Sequence, residues 1–91
     1  MKDNSLEKWR KEIDVIDKQL LELLAQRTAI VRKVGKYKKE KKIKPLDEER
    51  WNEVLNHKLA QAKTLKLPKN MIKTIYNKIH HYSLKIEEKI K

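Results

Sequence analysis

The sequence predicts an all-α protein of three helices, one long and two of medium length, and three observations carry that reading. The composition favours helix: one Gly, two Pro, no Phe and no Cys in 91 residues, with Lys, Glu, Leu and Ile dominating. Apolar residues recur at alternating steps of three and four, the spacing that keeps one face of a helix turned toward a partner. The two prolines, Pro45 and Pro68, divide the chain into three such stretches. Ninety-one residues without an internal repeat, linker or low-complexity segment read as one domain, residues 1–91.

The first stretch organises the rest. Leu6, Trp9, Ile13, Ile16, Leu20, Leu23, Ile30, Val34 and Tyr37 form a continuous apolar seam. Asn4 or Ser5 can cap its helix, with Glu7 as a capping-box partner, and nothing breaks it before the Lys44-Pro45 step. Gly35 lies inside and costs about 1 kcal/mol relative to Ala. It serves either close helix packing or room for a ligand beside Arg27 and Lys38. About 35 helical residues extend ~50 Å, whereas a compact chain of this length has a radius of gyration near ~13 Å. The seam must therefore bury against a second copy, and a homodimer is expected.

The second helix is expected to start at an Asp47 cap and run to about Thr64, with Trp51, Val54, Leu55, Leu59 and Ala62 on its apolar face. Lys66-Leu67-Pro68 is the next break, with Pro68 suited to the first helical position. The third helix carries Ile72, Ile75, Tyr76, Ile79, Ser83, Ile86 and Ile90 on one face.

Composition also excludes. Without cysteine there is no disulfide scaffold and no thiolate zinc site. His57, His80 and His81 lack ligand spacing, so no metal is expected. No apolar run approaches the ~20 residues that span a bilayer, and the N-terminus lacks a signal-peptide core, so the expectation is a cytoplasmic protein with no membrane partner. The net charge of +11 is unevenly spread: residues 1–31 are neutral, 32–44 carry +7 and 45–91 carry +4. Such a block is a solvated helix end or a patch for nucleic acid or another anionic surface. With Tyr37 its only aromatic residue, a base-stacking platform is not supported.

The seam is interrupted once, by Arg27. A cation there costs several kcal/mol unless an anion meets it. It either sets register or snorkels out of the seam, or it waits for an anionic ligand. Lys38 lies eleven residues on, within ~20° of the same face and ~16 Å along the axis, so the two long side chains can bracket a small anion. Arg10 is ~25 Å from Arg27 and about 100° round; it can join that pocket only from another chain of an antiparallel or intertwined dimer. Asp47 and Arg50 share the first turn of the second helix, where unsatisfied N–H groups favour an anion. Ser83 interrupts the third helix's apolar face, either bonded to the preceding turn or facing a ligand, and Glu87 follows one turn later. No nucleophilic cysteine, phosphate loop or Ser-His-Asp order is present. Cations, a carboxylate, a hydroxyl and an acid suit charge complementarity without a covalent intermediate.

These residues carry a resemblance. Leu6-Glu7-Lys8-Trp9-Arg10-Lys11-Glu12-Ile13-Asp14-Val15-Ile16-Asp17 with Leu20-Leu21, then Leu24-Ala25-Gln26-Arg27, Val34-Gly35-Lys36-Tyr37-Lys38 and Pro45-Leu46-Asp47-Glu48-Glu49-Arg50, resemble the all-helical chorismate mutase family. The similarity spans about residues 6–88 and is weakest in the third helix, where Ser83 carries it. The resemblance implies an intertwined homodimeric helical bundle that rearranges chorismate to prephenate, on the route to phenylalanine and tyrosine, without cofactor or metal. It implies that Arg27, and Arg10 of the second copy, hold carboxylates. Lys38 would contact a carboxylate and the ether oxygen, and Asp47 the ring hydroxyl. Arg50 would support the electropositive wall, Ser83 would bind the ring carboxylate, and Glu87 would donate to the ether oxygen. Lys38, Glu87 and Arg27 are thus the implied catalytic residues.

One position departs: many members have a glutamate after the arginine at position 50, where this chain has Trp51. That leaves open an isochorismate pyruvate lyase or another enzyme acting on a chorismate analogue. The reading from a different class is a basic helical nucleic-acid-binding dimer using residues 32–44; it accounts for the charge but gives Arg27 and Ser83 no purpose. A helical oligomerisation module without a ligand is the plainest reading.

Overall fold

A computed structural model of the chain describes residues 3–90. It contains three helices, α1 (Ser5–Glu40), α2 (Glu48–Thr64) and α3 (Lys69–Glu88), with no strand among the described residues. The all-α, three-helix expectation therefore holds. The chain falls into two units, Met1–Ile30 and Val31–Lys91.

The first unit is helical from Ser5 onward. Lys8 N–H donates to the Asn4 carbonyl at 3.1 Å, which makes Asn4 the N-cap residue. The side-chain cap comes from Asp3, whose Oδ1 accepts from Ser5 N–H at 2.9 Å. Hydrogen bonds from the Ser5 side chain and backbone hold the Asp3 carboxyl below its ordinary range. The seam residues of this unit, Leu6, Trp9, Ile13, Ile16, Leu20, Leu23 and Ile30, are each more than half exposed. Their periodicity makes an apolar stripe that this chain alone leaves in water.

In the second unit α2 and α3 pack on each other as a helical hairpin. The pairing is antiparallel. Trp51, early in α2, stacks on His80, late in α3, while the buried Ala62 and Ile72 flank the turn that joins the helices. The expected inner face of α2 is borne out, with Val54, Leu55 and Leu59 partly buried and Ala62 fully so. On α3, Ile72, Tyr76, Ile79 and Ile86 turn inward, Ile90 is partly buried just past the helix end, and Ile75 stays 42 % exposed. It lies about 60° round from Ile72, at the margin of the stripe.

Two boundaries differ from expectation, the end of α1 and the start of α3. The first helix ends at Glu40, short of the Lys44-Pro45 step, because the backbone closes on itself first. Ile43 N–H donates to the Lys38 carbonyl at 2.7 Å and Lys42 N–H to the Lys39 carbonyl at 3.2 Å, with Lys42 at φ 57°. That pair of bonds is a Schellman motif. α2 ends the same way, Leu67 to Ala62 at 2.8 Å and Lys66 to Lys63 at 3.2 Å, with Lys66 at φ 58°. Both left-handed positions hold lysine where glycine is usual, so no glycine marks the stop. Pro68 is the N-cap of α3, at φ −60° and ψ 128°, and Lys69 is the first helical residue. Asp47 caps α2 as expected, its Oδ1 accepting from Arg50 N–H at 3.0 Å.

Candidate active site

The site builds outward from Lys38, on the last turn of α1. Its Nζ donates to the Pro45 carbonyl at 2.6 Å and lies 2.9 Å from Oε1 of Glu87 on α3. One cation thus ties the end of α1 both to the α1–α2 connection and to α3. The side chains retain only 20 % and 9 % of their exposure, so the pair is screened far less than a surface ion pair. Glu87 Oε1 is buried and makes no hydrogen bond, although Nζ is close. The contact is charge attraction without an aligned donor. A buried acceptor with unused hydrogen-bonding capacity therefore sits beside a cation.

Gly35, one helical turn before Lys38, is buried against α3. A Cβ there would overlap Ile90 Cδ1 and come within 3.1 Å of Glu87 Cα and 3.3 Å of Glu87 Cγ. Of the two purposes considered for this glycine, close packing is the one observed; the space above it holds Ile90 and Glu87, not room for a ligand.

Asp47 and Arg50 share the first turn of α2, but their side chains are mostly exposed. The Asp47 carboxylate is engaged in capping, and Arg50 Nη1 lies 3.7 Å from Glu53 Oε2. That pair is exposed on both sides and contributes roughly 0–1 kcal/mol. Ser83 stands one turn before Glu87 and is partly buried. His80 precedes it by three residues on the same stripe, and its ring stacks on Trp51 at 3.9 Å and 9°. The Trp51 indole face is therefore spent on α3, where it joins the two helices near Ser83. Arg10 and Arg27 belong to the Met1–Ile30 unit and are exposed.

Sequence reasoning missed three participants. The Pro45 carbonyl leaves no trace in residue type. His80 lacks metal-ligand spacing, and only its i, i+3, i+7 relation to Ser83 and Glu87 marks it in the sequence. Ile90 reads as an ordinary apolar-face residue.

The sequence pattern that defines the family described as Chorismate mutase type II matches residues 9–88, nearly the whole chain and including Lys38 and Glu87. The chain belongs to the chorismate mutase type II family. Membership makes it an isomerase of the chorismate mutase type, and the resemblance carried by the first helix and the Pro45–Arg50 segment is borne out. No curated protein matches the chain. Among the described residues no helix is long and apolar enough to cross a membrane.

Proposed function

We propose that the chain converts chorismate to prephenate in the cytoplasm, on the route to phenylalanine and tyrosine, as a homodimer without cofactor or metal. The observation that carries the site assignment is the Lys38–Glu87 pair, a cation and a buried, incompletely hydrogen-bonded acid 2.9 Å apart within the family match. In the rearrangement the ether C–O bond breaks as a new C–C bond forms, and negative charge grows on the ether oxygen. Lys38 meets that charge and one carboxylate. Glu87 serves the same oxygen as a hydrogen-bond donor, a role open to the acid and closed to the carboxylate.

Arg27, and Arg10 from the second copy, take the carboxylates. Asp47 receives the ring hydroxyl, Arg50 adds positive potential, and Ser83 bonds the ring carboxylate. The rate gain comes from restraining the reactive conformer and from charge stabilisation made only in the transition state. The exposed seam supports the dimer: each large apolar side chain buried on association contributes about 1.5–3 kcal/mol before ordering costs.

Trp51 favours a second reading, since its ring rests on His80 and supplies no carboxylate. In that reading the same fold removes pyruvate from isochorismate. One experiment separates them. Incubation with chorismate should consume its ultraviolet absorbance and give prephenate, while incubation with isochorismate should release no pyruvate. Pyruvate without prephenate would replace the first reading with the second. No turnover of either would overturn both.

A further inference from the structure

Gly35 adopts an ordinary right-handed helical conformation, with no positive φ, so backbone freedom does not explain a residue that weakens a helix interior. The space around it does. The Cβ it lacks would meet three atoms, and they are not equivalent. Ile90 Cδ1 is the far end of a flexible side chain and can rotate away. Glu87 Cα, at 3.1 Å, is backbone of α3 and can yield only if the helix moves, and Glu87 Cγ at 3.3 Å would move with it. Glu87 is also the residue whose buried Oε1 stands 2.9 Å from Lys38 Nζ, one turn along α1 from Gly35.

We propose that Gly35 is a positioning residue: by presenting no side chain it seats the α3 backbone at Glu87 against α1 and so sets the Glu87–Lys38 separation. The proposal rests on the reading of Lys38 and Glu87 as the catalytic pair. A methyl group at position 35 displaces Glu87 by a few tenths of an ångström from a site where placement governs rate.

The test is steady-state kinetics with chorismate on four variants, each checked for helical circular dichroism. Gly35→Ala should lower kcat about tenfold while KM changes less than about threefold, because the Glu87 contact is used in the transition state. In a Glu87→Ala background the same substitution should change kcat less than about twofold, since the residue it acts through is gone. Gly35→Ala/Ile90→Ala removes the sharpest overlap and keeps the test open if the single variant folds poorly. It should remain impaired, because the contact with the Glu87 backbone persists. Wild-type kcat in Gly35→Ala, an equal loss with and without Glu87, or full recovery on removing the Ile90 side chain would each overturn the proposal. The underlying reading fails separately: Glu87→Ala would then turn over like wild type.

Discussion

At the scale of single residues the molecule turns on Lys38, held at once by the Glu87 carboxylate and the Pro45 carbonyl. Lys38→Met keeps the aliphatic stem and strands a mostly buried carboxylate. We expect it to abolish turnover and to lower stability by about 2–3 kcal/mol, below the full cost of breaking a buried pair because Lys38 is partly exposed. Adding Glu87→Gln to Lys38→Met should restore part of that stability, since a neutral amide is cheaper to bury; urea unfolding at fixed protein concentration would show it. Glu87→Gln, which keeps a hydrogen-bond donor at that position, should retain turnover that Glu87→Ala loses. Equal turnover in the two variants would remove Glu87 from the chemistry. The Lys38–Glu87 contact joins two residues that the sequence offers as candidates, while Arg27 and Ser83 stand out only as polar interruptions of an apolar period, a feature visible without coordinates. What was not legible came from backbone and from pairing across helices. A carbonyl such as Pro45's has no side-chain signature, and the Trp51–His80 stack depends on how α2 meets α3.

At the scale of elements, both Schellman stops place lysine in a left-handed conformation that costs an ordinary L-residue roughly 1–2 kcal/mol. Lys66 is remote from Lys38 in sequence and has no part in the proposed chemistry. Lys66→Gly should therefore raise stability by about 1 kcal/mol with turnover unchanged, read as a higher urea midpoint. The N-terminal cap gives a pH dependence whose sign is fixed. The folded Asp3 carboxyl lies below its usual 3.8, so its contribution is present above that value and is lost as pH falls through the lowered one. Asp3→Asn should remove that acid dependence from the helicity of the N-terminal turn. Helix count and inner faces could be read from periodicity, and Asp47 could be read as a cap because a carboxylate after Pro-Leu has few other local uses. The end of α1 could not, since backbone hydrogen bonds alone close it and Lys41-Lys42 looks like any solvated pair.

For the whole molecule the exposed seam sets the behaviour. A stripe from Leu6 to Ile30 that one chain leaves in water predicts a dimer whose unfolding midpoint rises with protein concentration. A folded monomer at micromolar concentration by light scattering would exclude a site shared between copies. Arg10→Ala and Arg27→Ala, each inactive alone, should regain activity when unfolded together and refolded as a mixture, because one site of the mixed dimer then carries neither change. The hairpin of α2 and α3 also carries a kinetic consequence. Its helices are joined by the short turn 65–68 within one chain, so it should assemble by fast first-order steps, on the microsecond-to-millisecond scale of helical proteins. The seam has to wait for an encounter with another molecule. Refolding after dilution should therefore show an early phase indifferent to concentration, reported by Trp51 against His80, and a later one that quickens as protein is added, reported by Trp9.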